Sequence, residues 1–165
     1  MWIFRLGGRY RSWAMRLLVG YALTLTVLQP ANVHAQLSTV FKDPTGIAIE
    51  GYDAIAYSKD GKAIEGSQRI RNDWNGASWY FTSRENRDLF QKDPWKYAPQ
   101  YGGYCAFALA TTNQLVPSHP EIWKIIDGRL YLFANTEAQK LFAKRVKKLS
   151  QTADKNWKSR ITPGS

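Results

Sequence analysis

Apolar and polar positions along this chain mark out two hairpins and a series of short helices. Ile70 to Trp74 and Ala77 to Thr82 flank Asn75-Gly76, a pair suited to the left-handed angles of a two-residue hairpin turn. The second arm carries Trp79, Tyr80 and Phe81, an aromatic run that fits a pleated strand. Ile122 to Ile126 and Leu130 to Phe133 flank Asp127-Gly128 and predict a second hairpin on the same grounds. Weak alternation from Ile47 to Tyr57 predicts a further strand running into a tight segment around Gly51-Tyr52-Asp53.

Helices are expected at about Arg84 to Gln91, Pro94 to Ala98 and Tyr104 to Ala110. Ser83 supplies a capping hydroxyl for the first; Asp93 followed by Pro94 caps and starts the second. Thr111 to Pro120 reads as loop. A closing helix begins at Asn135 or Thr136, with Leu141, Phe142, Val146 and Leu149 forming one apolar stripe. Asn156-Trp157 is expected to tack the tail back onto the domain, and Trp74, Trp79 and Phe81 to face the core or a sheet. The fold class is α+β: a small antiparallel sheet built from two β-hairpins, packed with several helices including a basic C-terminal helix.

Residues 1 to 35 stand apart. Arg5, Arg9, Arg11 and Arg16 precede a twelve-residue apolar run, Leu17 to Leu28, and Val33-His34-Ala35 offers small residues for cleavage. The run falls short of the roughly 20 residues of a membrane span, so a cleavable signal peptide is expected, with a retained anchor as the alternative. Met15 offers a second possible start. The expected location is exported, periplasmic or secreted, with residues 36 to 165 as a single domain.

Export changes the charge argument. The chain's net charge of +10 loses four arginines and no acid, leaving +6 from Gln36 onward. Lys140, Lys144, Arg145, Lys147, Lys148, Lys155 and Lys158 crowd the last quarter. That face suits peripheral contact with anionic membrane better than nucleic-acid recognition.

The stretch Trp79-Tyr-Phe-Thr-Ser83, Leu89-Phe90 and Asp93-Pro-Trp-Lys-Tyr97 resembles the YHS domain, a module related to TRASH-like metal-binding domains. Gly51 to Tyr57 looks like the family's opening segment, so the resemblance covers about residues 48 to 98 as the core. Tyr101-Gly-Gly-Tyr-Cys-Ala106, Asp127-Gly-Arg-Leu-Tyr-Leu132 and Asn156-Trp157, in the extension from 99 to 165, resemble the longer, stand-alone, exported members. The resemblance implies thiolate ligands for copper or zinc, yet Ala56, Thr82 and Asn86 stand where cysteines are expected. No cofactor is therefore expected at that site.

Cys105 and His119 are the remaining candidates for metal or nucleophilic chemistry. Cys105 is the only cysteine, which excludes an internal disulfide. It reads either as a small buried hydrophobe among alanines or as a thiol activated by a helix start. Burial is expected to win, because Ala106, Phe107, Ala108 and Leu109 offer no cation. His119, between Pro117 and Pro120, reads as an exposed loop residue; paired with Cys105 it makes at most half of a structural zinc site.

Tyr52, Asp53, Tyr57, Tyr104 and Cys105 are the candidate ligand-binding residues, with Asp53 alternatively a turn residue bonded to its own backbone. No catalytic motif of the triad, HExxH, phosphate-loop or paired-cysteine kind is present. The expected function is a non-enzymatic binding or sensing role for a small ligand or protein partner. Two alternatives stay open: a copper- or zinc-binding protein, and a thiol-dependent enzyme with Cys105 as nucleophile.

Overall fold

Both hairpin turns form as expected. Asn75 and Gly76 take φ of 51° and 74°, Asp127 and Gly128 take 52° and 74°. They fold Ser67–Trp74 (β1) onto Ala77–Phe81 (β2) and His119–Ile126 (β3) onto Arg129–Phe133 (β4), each pair antiparallel. The computed structural model describes residues 39–161. The expected signal peptide, its expected cleavage site and the two candidate starts lie outside them. Among the described residues, no helix is long and apolar enough to cross a membrane.

The α+β class holds, but the hairpins do not merge: each is a two-stranded sheet of its own. The polar run of β1, Ser67-Gln-Arg, is exposed and leaves its edge unsuited to further pairing. The strand expected from Ile47 to Tyr57 is absent, and isolated bridges pair this segment instead, Ala48 with Lys42, Ile47 with Ser78 and Tyr52 with Glu65. Three consecutive residues, Ile49, Glu50 and Gly51, take φ of 43°, 53° and 82°, which no pleated strand can accommodate. A short helix, Ala56–Lys59 (α1), follows.

The helices Arg84–Lys92 (α2) and Pro94–Tyr97 (α3) lie where expected. Ser83 Oγ accepts from Asn86 N at 3.1 Å and Asp93 Oδ1 from Lys96 N at 3.3 Å. Ala106–Thr112 (α4) starts two residues late, because Tyr101, Gly102 and Gly103 form another left-handed run, with φ of 59°, 63° and 89°. The closing helix is two helices, Thr136–Lys144 (α5) and Val146–Ile161 (α6), broken at Arg145 (φ −136°). Its expected stripe divides between them, with Phe142 and Leu149 both buried.

These departures share one cause. The chain is a tandem repeat with an offset of 52 residues, and every element from the left-handed run to the second helix recurs at that offset. Ile49 to Gly51 matches Tyr101 to Gly103, β1 and β2 match β3 and β4, and α2 matches α5. The hairpin irregularity recurs too: register slips between Ser67 and Arg71, and again between His119 and Trp123. Asp53 N donates to Ile64 O as Cys105 N donates to Val116 O. Asp93 N donates to Phe90 O as Arg145 N donates to Phe142 O, so the break at Arg145 is the α2–α3 junction repeated.

The sequence carries the repeat faintly, in Gly51-Tyr-Asp-Ala-Ile-Ala-Tyr57 beside Gly103-Tyr-Cys-Ala-Phe-Ala-Leu109, and in Leu89-Phe90 beside Leu141-Phe142. Two apolar clusters form, one around Trp79, Phe81 and Phe90 that also takes in Leu130 and Leu132 of β4, the other around Leu109, Phe133 and Phe142. Tyr57 crosses between repeats: its ring meets Trp123 edge-on at 5.2 Å, and its hydroxyl donates to Pro120 O at 3.0 Å. Burial pushes that hydroxyl far above its ordinary range, with Tyr52 and Asp53 adding to the effect, so it stays a donor.

Candidate functional site

A groove of about 330 Å³ opens where the β1–β2 turn and α3 of the first repeat face the left-handed run and α6 of the second. That volume is at the lower end for small-molecule sites. Indoles form much of its wall. Trp74 lies edge-on to Trp95 at 4.7 Å and 5.7 Å from Trp79, while Trp157 faces Tyr101 at 6.1 Å. Pro94 at the first position of α3 sets Trp95 on an outward turn. The two large apolar side chains left exposed among the described residues, Trp95 (74%) and Ile161 (45%), both edge this groove.

Its polar part is a small network. Arg129 donates through Nε and Nη2 to Gln100 Oε1 at 2.9 and 2.6 Å, and through Nη2 to Asp154 Oδ1 at 3.0 Å. Tyr101 donates its hydroxyl to the same Asp154 oxygen at 2.9 Å. Burial, reinforced by the Asp154 bond, holds the Tyr101 hydroxyl far above its usual range. Burial opposes the charge on Arg129, but Asp154, together with Tyr131 and Tyr101, outweighs it and lifts the guanidinium above its ordinary value. The ion pair is partly exposed and contributes about 1 kcal/mol or less to stability, so its consequence is orientation.

The residues singled out in the sequence fall elsewhere. Tyr52, Asp53, Tyr57, Tyr104 and Cys105 do not line this groove. Tyr52 is half-buried and reaches Glu121 at 3.4 Å. Burial, then the neighbouring Glu121 and Glu65 charges, raises its hydroxyl. Tyr104 packs between Phe41 and Trp157. Of the groove residues, Trp74 and Trp79 read in the sequence as packing residues. Trp95, Gln100, Arg129 and Asp154 carried no signal beyond the tryptophan's place after Pro94.

Asp53 is both a turn residue and the hub of a wider network. Its Oδ1 accepts from Ile55 N at 2.8 Å. Its Oδ2 accepts from Thr82 N, Thr82 Oγ1 and Asn86 Nδ2 at 2.9, 2.7 and 2.7 Å. Two of the three positions where the family resemblance implies cysteine thus belong to a carboxylate network, and the third, Ala56, is a buried methyl. The side chains present do not fit a thiolate metal site. Among the described residues, no group of three or more His, Cys, Asp or Glu is placed to hold a metal ion.

Cys105 occupies the position in the second repeat that Asp53 holds in the first, and caps α4 without a side-chain hydrogen bond. It is 1% exposed, whereas His119 is exposed at the start of β3 and makes no hydrogen bond to it. The matching neighbours, Ala134 and Ala138, replace Thr82 and Asn86, leaving an apolar setting. Native protein is expected to react with iodoacetamide at least roughly tenfold more slowly than denatured protein, since a buried thiol is inert. Equal rates at neutral pH would show an accessible thiol and revive the nucleophile reading.

Compared with protein-family models, curated proteins and solved structures, the chain matches none.

Proposed function

We propose that this protein is an exported, non-enzymatic binding module, a YHS-like unit duplicated in tandem, that holds a small ligand in the groove between its repeats. The observation that carries the reading is the groove's composition. It gathers indoles from both repeats and both exposed large apolar side chains around one oriented polar network. Exposed apolar surface concentrated in a concave site is the ordinary mark of ligand binding. Export rests on the basic and apolar segments before Ala35. The buried, unpaired setting of Cys105 favours neither alternative, metal carrier or thiol enzyme. The outward lysines of α6, Lys147, Lys148 and Lys155, support peripheral contact with an anionic membrane surface as part of the same proposal.

Titration with a small aromatic probe, 2-naphthol, followed by the indole N–H signals in a proton–nitrogen correlation spectrum tests the groove. The Trp95 and Trp157 signals are expected to shift, and Trp123, outside the groove, to stay in place. Trp95→Ala should weaken the probe about three- to tenfold, the value of one aromatic contact, and leave the fold intact because the ring is exposed. Shifts confined to Trp123, or none at any indole, would refute the groove as the site.

A further inference from the structure

The polar side of the groove is unbalanced between donors and acceptors, and this imbalance specifies a class of ligand. Asp154 is engaged: Oδ1 accepts from Tyr101 and Arg129, and Oδ2 faces Arg129 Nη1 at 3.5 Å. Gln100 Oε1 already accepts two bonds from Arg129. The Gln100 amide nitrogen donates to no group among the described residues. Lys158 sits one turn beyond Asp154 on α6, lines the groove and forms no ion pair among the described residues.

On this side the donors left over are an ammonium and an amide N–H₂, while the acceptors beside them, on Asp154 and Gln100, are engaged. Asn75 Oδ1 lies at the other side of the groove's lining without a donor among the described residues. A ligand seated against the indoles gains most there by bringing oxygen acceptors, and more if they carry negative charge. A cationic ligand meets Lys158 with no free carboxylate to offset it. A neutral sugar brings many hydroxyl donors and no charge to the Lys158 side, where the carboxylate and amide oxygens are already engaged.

Resting on the groove reading above, we infer that the ligand is a small planar apolar or aromatic carboxylate. Its flat body lies among Trp74, Trp95 and Trp157, and its carboxylate is held by Lys158 with the Gln100 amide. Arg129 acts as a positioning residue: its two bonds to Gln100 Oε1 fix the amide so that the nitrogen points away from the guanidinium. Asp154 in turn holds Arg129 in place, aided by Tyr101.

The test uses the purified protein and probes of one shape: 2-naphthoate, 2-naphthalenemethanol and 2-naphthylmethylammonium, with methyl β-glucoside as a neutral sugar. Binding is measured by calorimetry at pH 7 in low salt. Naphthoate should bind about tenfold more tightly than the alcohol, and the ammonium most weakly, since hydrogen bonds to charged groups exceed neutral ones. The preference should shrink in high salt, where exposed charges are screened. Lys158→Met should bring naphthoate down to the affinity of the alcohol, with a much smaller loss for the alcohol itself. Lys158→Glu should reverse the order of naphthoate and ammonium.

Equal affinity for naphthoate and alcohol, both weakened by Trp95→Ala, would overturn the carboxylate inference and leave the groove reading standing. So would a preference that survives Lys158→Met, or tighter binding of the glucoside. Absence of binding by every probe would defeat the groove reading along with the inference.

Discussion

Asp53→Ala is expected to destabilise the protein by about 3 kcal/mol, because it strips buried donors of a charged acceptor and leaves the Ile55 N–H and one amide proton of Asn86 unpaired. Asp53 is 0% exposed and accepts four hydrogen bonds. Thr82 lies at the surface and can turn its hydroxyl to water. Asn86, 2% exposed, and the buried N–H of Ile55 cannot. Asn86 keeps a contact from Lys59 Nζ to its carbonyl oxygen at 3.2 Å and its amide bond to Thr82 Oγ1 at 3.0 Å, so the amide loses one of its two acceptors.

Cys105→Ala, at the matching position of the second repeat, provides the control. It removes one sulfur from an apolar setting and should cost about 1 kcal/mol, the order expected for a small buried truncation. Urea unfolding of the two variants separates the outcomes. If Asp53→Ala loses no more stability than Cys105→Ala, the carboxylate is not the hub that its geometry describes.

Gly102→Ala is the second large effect, expected at about 3 kcal/mol or more through a backbone clash added to left-handed strain. A Cβ on Gly102 would lie 1.9 Å from the Thr39 carbonyl oxygen and 2.8 Å from its carbon, and the residue sits at φ +63°. The neighbouring backbone is tied in place, with Phe41 N donating to Gly102 O at 2.8 Å and Val40 buried in the core. Relief requires the segment at 39–41 to peel away from the groove it helps to line.

Gly51→Ala isolates the strain. It has φ +82°, but its nearest side-chain atom is Tyr80 Cδ2 at 3.1 Å, the edge of a ring that can shift. Its cost should be about 1–2 kcal/mol, that of the left-handed backbone alone. Thermal or denaturant melts of both variants give the comparison. Equal losses would mean that the Thr39 contact yields without resistance, and that the lead-in segment is not fixed against the second left-handed run.

These two residues also mark where reading the chain alone reaches its limit. Local chemistry made the hairpins legible: Asn75-Gly76 and Asp127-Gly128 adopt left-handed angles at little cost wherever they occur. The caps at Ser83, Asp93 and Asn135 were equally local, since each side chain bonds an N–H three residues ahead. The strand expected around Ile47 failed because a β-branched residue, Ile49, is held at φ 43° against its own preference. Tertiary contact supplies the compensation: Ile49 is buried, and its Cγ2 fills the space beside Gly103 left by the missing side chain.

The candidate site shows the same division. Sequence alone marked Cys105 for burial, from the small apolar residues around it, and the structure places it there. It also marked Asn156-Trp157 as a tether, and Asn156 Nδ2 indeed reaches Leu109 O at 2.8 Å while Trp157 faces Tyr101. The groove was not legible, because its residues come from positions as far apart as Trp74, Arg129 and Lys158, and no local spacing relates them. An exposed tryptophan and a buried one are the same letter in a sequence. What makes Trp95 a candidate for binding is that it stays exposed at the edge of a groove whose other wall comes from the second repeat. The sequence by itself determined the hairpins, the caps, the buried thiol and the α+β class, all of which depend on neighbours within a few residues. Only the tertiary structure decided the separation of the sheets, the left-handed runs and the groove, which arise where one 52-residue unit packs against its copy.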